Sequence, residues 1–157
     1  MITTECPSLC LSRLSIDDID AYYALIDRNR RHLTQHGNYL DMQTATRETV
    51  REELERPTPN LVLGIRLDDV LIGRVDLIPK EPSTFVIGYW LGQEWLGRGY
   101  VTMACRTVIA HAHTSLDATT IYAGVTKDND RSEAVLARLG FTLVQDMGSY
   151  NRFRLSI

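Results

Sequence analysis

Cysteine is scarce in this chain, with Cys6, Cys10 and Cys105 the only three among 157 residues. A sparse, odd set of cysteines excludes a disulfide framework and indicates free thiols. Cys6 and Cys10 have no second Cys/His pair at a distance that would complete a zinc site. His111 and His113 do not supply it, because side chains two positions apart on a helix face different ways. We therefore expect no metal ion.

Long apolar runs and a basic surplus are also missing. No stretch approaches the roughly 18 apolar residues of a membrane span, and the N-terminus has no basic head or apolar core typical of a signal peptide. The 17 Lys and Arg residues against 20 Asp and Glu residues give a net charge of −3, which argues against a general nucleic-acid binder. We expect a cytoplasmic protein that binds neither nucleic acid nor membrane.

The hydrophobic period changes along the chain from helical to strand-like and back. The predicted strands are 8–14, 61–67, 70–78, 84–92, 119–126 and two closing strands, and the predicted helices begin at Ser15 and Thr44 and span 99–114 and 130–139. Asp68-Asp69 predicts a tight hairpin, and Gly140 ends the last helix. This order predicts one α+β domain over residues 1–157 with a mixed central sheet. The crossover through helix 99–114 makes strands 84–92 and 119–126 parallel.

The segment EWLGRGYVTMA, residues 94–104, joins a strand to a helix through two glycines. Gly97 and Gly99 permit positive φ and close approach of a ligand, and the free amides of a helix start attract anions. Arg98 adds a charged donor. The pattern is neither a dinucleotide fingerprint nor a P-loop. On these residues alone, a phosphate site and an ordinary turn are both open.

Three motifs in order are more specific: IGYWLGQEWLGRGYVTMA (87–104), NDRS (129–132) and VLARLGF (135–141). Together they resemble the GNAT superfamily of acyl-CoA-dependent N-acetyltransferases, and within it the Rim-type branch, which includes ribosomal-protein N-terminal acetyltransferases. The likeness is strong over 84–142 and compatible in element order over 8–157. It implies a mostly antiparallel sheet of about seven strands with about four helices. It also implies a V-shaped split between strands 84–92 and 119–126.

The resemblance assigns residues to acetyl-CoA, the expected co-substrate. The implied cofactor-binding residues are Trp90, Leu91, Gly92, Leu96, Gly97, Arg98, Gly99, Tyr100, Val101, Thr102, Asn129 and Ser132. The turn and helix start would hold the pyrophosphate, and the strand end would pair with the pantetheine arm. Leu96 and Val101 depart from the family's Gln/Arg and Gly/Ala. Asn129 would bind the arm, and Ser132 would lie near the thioester sulfur.

The implied reaction is direct attack of a neutral amine on the thioester, with a carboxylate as proton acceptor. Many relatives place a leaving-group tyrosine where this chain has Leu136, so Ser132 becomes the candidate for assisting the sulfur. Asp76 is the first candidate base, because a charge in the apolar segment RVDLI faces either a cleft or solvent. Glu81 and Glu94 are the alternatives.

The acceptor side rests on the segment HLTQHGNYL, residues 32–40, which lines the acceptor cleft in the family. His32, His36, Asn38 and Tyr39 are either substrate contacts or surface residues, and Asp76 would join them. We expect a small-molecule primary amine, because the chain is short and has no basic face for a ribosomal partner. The alternatives are the N-terminus of a protein or peptide, transfer of another acyl group from a longer acyl-CoA or aminoacyl-tRNA, and a non-catalytic acetyl-CoA sensor. Strand edges near the C-terminus offer a homodimer contact.

Overall fold

Eight strands and four α-helices alternate along the computed structural model, which describes residues 1–157. The strands are β1 (Ile2–Thr3), β2 (Leu9–Arg13), β3 (Leu61–Leu67), β4 (Val70–Glu81), β5 (Thr84–Leu91), β6 (Thr120–Thr126), β7 (Thr142–Asp146) and β8 (Tyr150–Ser156). The helices are α1 (Ile19–Thr34), α2 (Arg47–Glu55), α3 (Tyr100–Leu116) and α4 (Asp130–Arg138). The strands form one sheet in the order β1-β2-β3-β4-β5-β6-β8-β7. The predicted α+β class is confirmed, and β1 brings the predicted seven strands to eight.

Local capping chemistry sets where the first two helices begin. Ser15 and Asp18 form a reciprocal capping box on a 3-10 turn that runs into α1, as the sequence predicts. The second helix begins after Thr46 and not at Thr44, because the Thr46 hydroxyl accepts the amide of Thr49. Thr44 ends the preceding 3-10 turn. Two threonines with equal capping chemistry lie two residues apart, so the sequence could not separate them.

The two-residue hairpin between β3 and β4 is confirmed. Asp68 and Asp69 have φ values of 47° and 67°, the left-handed conformation that a type I′ turn needs at both positions. Short polar side chains such as aspartate tolerate this conformation better than bulky ones. The turn fixes the register that pairs Leu67 with Val70, and an irregularity between Ile65 and Arg66 shifts that register so that Ile65 pairs with Gly73.

Helices cover both faces of the sheet. On one face α3 and α4 pack against the strands, and the core includes Val75, Ile87 and Val108. On the other face α1 and α2 pack over Leu71 and Trp90. Each helix buries one apolar stripe against the sheet. None of the helices is long and apolar enough to cross a membrane.

Candidate active site

The sheet opens between β5 and β6. These parallel strands pair only where Thr84–Val86 meets Thr120–Tyr122, and beyond that point they separate. This is the V-shaped split that the resemblance implies. A cavity of about 460 Å³ occupies it and is lined from α1, β5, β6 and α4. Because α1 and α4 lie on opposite faces of the sheet, the cavity is reached from both sides.

The main chain of β5 faces this split. The Gly92 amide donates to the Ile72 carbonyl on β4 at 2.8 Å, and on the opposite edge the Thr120 amide donates to Ser83 at 3.2 Å. Main-chain groups alternate sides along a strand. The amides and carbonyls of Tyr89 and Leu91 therefore point towards the split beyond the last β5–β6 pair, and the Tyr89 carbonyl there accepts the Tyr39 hydroxyl. An amide-containing chain can bind there as a pseudo-strand.

The turn before α3 is not covered by any side chain. Gly97 and Gly99 have φ values of 76° and 81°, and no atom lies within 4 Å of where a Cβ would stand. Gly99 is the N-cap of α3 and offers no side-chain cap, and the first helical turn contains no acidic residue. Arg98 is exposed beside it. These features fit a pyrophosphate, which needs free amides, positive charge and room for close approach.

The predicted cofactor-binding residues fall into two groups. Trp90, Leu91, Leu96, Val101, Asn129 and Ser132 line the cavity. Gly92, Gly97, Arg98, Gly99, Tyr100 and Thr102 lie outside its lining, in or beside the turn and the first turn of α3. Gly92 also has a packing role, because a Cβ there would come within 2.7 Å of the Trp95 ring.

The start of α4 brings Ser132 into the cavity. Asn129 caps this helix by accepting the Ser132 amide at 3.3 Å, as expected of asparagine at this position. The Ser132 hydroxyl lies 2.8 Å from the hydroxyl of Tyr89 on β5. A phenol and an alcohol thus form a hydrogen-bonded pair across the wall of the cavity.

His32 and His36 also line the cavity, at the end of α1 and just beyond it. Burial lowers the pKa of His32 below its ordinary value, and the positive charges of Arg131 and His36 act in the same direction. The main chain of Leu91 opposes the shift, which places the imidazole beside the splayed end of β5. A lowered pKa keeps His32 neutral near pH 7, so it can accept a proton.

Tyr39 closes the side of the cavity. It has a left-handed backbone with a φ of 52°, and its hydroxyl donates to the Tyr89 carbonyl at 2.6 Å. Burial raises the pKa of Tyr39, so the phenol stays protonated and serves as a donor. Asn38 lines the same cavity.

Asp76 lies outside the main cavity. It forms a two-point ion pair with Arg74, with N–O distances of 2.7 and 2.9 Å, and Arg74 also bonds to Glu53. Asp76, Arg74 and Glu53 line a second cavity of about 190 Å³ that shares Tyr39 and other wall residues with the first. The second cavity therefore adjoins the split and carries more negative than positive side chains.

The alternative carboxylates lie away from both cavities. Glu81 is exposed at the end of β4, and Glu94 is exposed and pairs with Arg28 at 3.6 Å. No group of three or more His, Cys, Asp or Glu side chains is arranged to hold a metal ion.

Two functional neighbours escape sequence reasoning. In the sequence, Tyr89 is only one aromatic residue in an apolar strand. Its contact with Ser132 depends on how α4 packs against the sheet. Asn29 is buried in α1, and its side-chain oxygen accepts the Gln93 amide at 2.9 Å. That bond fixes the turn after β5. In the sequence, the only sign of this role is that Asn29 is a polar residue within the apolar stripe of the helix.

A family model described as Acetyltransferase (GNAT) domain matches residues 8–142. The Bacillus subtilis (strain 168) protein named "Putative ribosomal N-acetyltransferase YdaF" is 31% identical over 132 residues, which cover 79% of this chain and 72% of that protein. The ribosomal-protein-serine acetyltransferase of Escherichia coli (strain K12) is 29% identical over 144 residues, covering 87% and 80%. The structure of RimL, a ribosomal L7/L12 alpha-N-protein acetyltransferase in complex with coenzyme A, superposes with a TM-score of 0.86 at 19% identity, covering 100% and 98%.

Proposed function

Since the chain belongs to the GNAT acetyltransferase family, we propose that it is an acyltransferase that moves the acetyl group of acetyl-CoA to the N-terminal amine of a protein, with a ribosomal protein as the first candidate. The two curated relatives carry this proposal, because both are named for ribosomal acetyl transfer and they align with 79% and 87% of the chain. They favour this acceptor over the small-molecule amine that the short, acidic sequence suggests. With a ribosomal acceptor, we expect a cytoplasmic location.

Acetyl-CoA would enter from the face of the sheet that carries α3 and α4. The open turn at Gly97 and Gly99 suits the pyrophosphate, with Arg98 as a charged donor. The pantetheine arm would lie along β5, where main-chain groups face the split. The thioester carbonyl would then lie near the Leu91 amide, which supplies a donor for the tetrahedral oxyanion.

The acceptor would enter from the opposite face, where α1 ends. Its nitrogen must be neutral to attack the thioester carbon, so one proton leaves the ammonium first. The new N–C bond forms, the nitrogen gives up a second proton to solvent, the electron pair of the C–S bond goes to sulfur, and the thiolate departs. His32 is the better-placed proton acceptor, because it lines the main cavity and burial, which lowers its pKa, keeps the imidazole unprotonated at neutral pH.

Asp76 fits a different part of the same reaction. Its carboxylate already accepts two bonds from Arg74, so both of its oxygens are engaged before an amine arrives. With Glu53 it gives the second cavity a negative character that attracts an incoming ammonium. We assign Asp76 to acceptor attraction, with Tyr39 as the shared wall between the two cavities.

The proposal is tested by incubating the purified protein with acetyl-CoA and a peptide that begins with a free serine or alanine. Thiol release and mass spectrometry should show one acetyl group on the N-terminal amine. The control is a peptide of the same sequence with a blocked N-terminus and an internal lysine. This peptide should remain unmodified. Acetylation of small amines in a parallel panel, with both peptides untouched, would replace the proposal with a small-molecule acceptor.

A further inference from the structure

The position of the family's leaving-group tyrosine is occupied here by an apolar residue. Leu136 is fully buried and belongs to the core between α4 and the sheet. It has no hydroxyl and no access to the cavity lining. Any hydroxyl that assists the sulfur must therefore come from another residue.

Tyr89 brings a phenol to the same cavity from the opposite wall. Its oxygen lies 2.8 Å from the Ser132 hydroxyl and 3.2 Å from the Ser132 carbonyl. Either hydroxyl can donate across the 2.8 Å contact, and only donation from Tyr89 leaves the Ser132 proton free for a ligand. Tyr89 is held from behind, because its own carbonyl accepts the Tyr39 hydroxyl at 2.6 Å.

The surroundings keep the Tyr89 proton in place. Burial raises the pKa of Tyr89, and the hydrogen bond with Ser132 only partly opposes the shift. The phenol is therefore a permanent donor at neutral pH. A serine hydroxyl that accepts such a bond has its own proton free, and donation through it is strengthened by the chain of bonds.

We propose that Tyr89 is a positioning residue that acts through Ser132: it donates to the Ser132 oxygen and so aims the Ser132 proton at the sulfur of coenzyme A. The inference rests on the proposed function, because that function places the thioester beside Ser132. When the C–S bond breaks, its electron pair goes to sulfur, and the Ser132 hydroxyl hydrogen-bonds the thiolate. Tyr89 and Ser132 both keep their protons, and solvent protonates the released thiolate.

The first test measures the thiol of bound coenzyme A and needs no acceptor. A donor aimed at sulfur stabilises the thiolate, so the thiol pKa of bound coenzyme A, followed by thiolate absorbance, should lie below that of free coenzyme A measured in the same buffer. Tyr89→Phe and Ser132→Ala should each raise this pKa. Tyr122→Phe removes a phenol outside the cavity, on the neighbouring strand, and should leave it unchanged.

The second test is a double-mutant cycle on turnover. Tyr89→Phe should lower kcat about three- to tenfold, the size of one hydrogen bond, with the KM for acetyl-CoA unchanged. In the Ser132→Ala background, Tyr89→Phe should have no further effect on kcat or on the thiol pKa, because the two residues act in series.

The outcomes separate this inference from the proposed function. Fully additive losses, or a Tyr89→Phe protein that behaves like Tyr122→Phe, would overturn the role of Tyr89. A wild-type protein that binds coenzyme A but leaves peptides unmodified would overturn the acceptor assignment, and the thiol pKa would still decide the role of Tyr89. A wild-type protein that does not bind coenzyme A would overturn both.

Discussion

His32 and Asp76 are the two candidate proton acceptors, and they differ in the contacts that their acceptor atoms already make. His32 lines the main cavity among positive neighbours, and burial lowers its pKa. Asp76 lies in the second cavity with a guanidinium bound to both of its oxygens. A base must be free of strong donors before it can accept a proton, so the geometry favours the histidine.

Replacing His32 by glutamine tests this assignment through pH. The pKa of His32 lies below its ordinary value of 6.5, so the base form is present above that lower value and is lost as the pH falls through it. We expect the acid limb of wild-type kcat to lie below pH 6.5. His32→Gln should abolish that limb and lower kcat about 100-fold.

Asp76→Asn is the matched comparison for His32→Gln. It should keep the acid limb and raise the KM for the acceptor, because it weakens the negative second cavity. If the limb instead survives in His32→Gln and disappears in Asp76→Asn, the base is Asp76.

The free energy of unfolding of the wild-type protein should also decrease below pH 6.5, because the unfolded chain takes up the His32 proton before the folded protein does.

Single residues were predicted unevenly from the sequence. Asn129 and Ser132 lie in a motif, so their position in the cavity could be predicted. Tyr89 could not be linked to Ser132, because the alternation of a strand gives the side of a residue but not which helix start lies opposite it. Asn29 was missed for the same reason, since its partner Gln93 is 64 positions away.

At the scale of the element, the start of α3 depends on its backbone more than on its side chains. Gly99 has a φ of 81°, and the helix has no side-chain cap. The first amides of this 17-residue helix are therefore available to an anion. The turn gives up the stabilisation that a serine or aspartate cap would supply, which fits a site kept open for a ligand.

Gly99→Ala should reduce both stability and affinity for acetyl-CoA. A left-handed alanine costs about 1–2 kcal/mol, and its methyl group intrudes where the ligand approaches. We expect acetyl-CoA affinity to fall about tenfold or more, measured by calorimetry and by the shift in Tm on ligand addition.

Gly148→Ala is the control for Gly99→Ala. Gly148 has a φ of 91° with nothing within 4 Å of a Cβ, and it lies between β7 and β8, away from α3. Gly148→Ala should lower Tm by about as much as Gly99→Ala and leave the affinity for acetyl-CoA unchanged. If both variants bind acetyl-CoA with equal affinity, acetyl-CoA does not bind at the turn around Gly99.

Elements with strong local chemistry were the easiest to predict. The Asp68-Asp69 hairpin and the Ser15 cap are confirmed because each is decided within four residues. The two-residue strand β1 was missed, since it exists only through pairing with β2. The start of α2 was placed two residues early, at Thr44, because Thr46 has the same capping chemistry.

At the scale of the whole molecule, the proposed function requires the split to hold two ligands at once. The cavity is lined by His32 from one face of the sheet and by Ser132 from the other. Cys105 is fully buried and does not line the cavity, and burial raises the pKa of its thiol. The structure therefore favours direct transfer between two bound substrates over an acetylated cysteine.

Initial rates measured against both substrates should give intersecting double-reciprocal lines. Incubation with acetyl-CoA alone should leave the mass of the protein unchanged, because no acetyl-enzyme forms. Parallel lines together with an acetylated protein would indicate a covalent intermediate and contradict direct attack.

The fold as a whole was predictable because the motif at 87–104 spans the end of β5, the turn and the start of α3. Those elements form one side of the split, and the strands and helices on either side of it could be placed relative to them. The acceptor was not predictable in the same way, because His32, His36 and Tyr39 come from a segment without a motif. Composition favoured a small-molecule acceptor, whereas the two curated relatives are named for ribosomal acetyl transfer.

The two-sided split also divides the surface that natural selection can change. Under the proposed function, residues that hold the donor would come from β5, α3 and α4, whereas those facing the acceptor would come from α1 and the segment after it. The two sets meet where the Tyr39 hydroxyl donates to the Tyr89 carbonyl, which ties Tyr39 to the donor side. A lineage could therefore exchange one acceptor for another through drift in residues 32–38 while Tyr39 and its donor chemistry stayed intact.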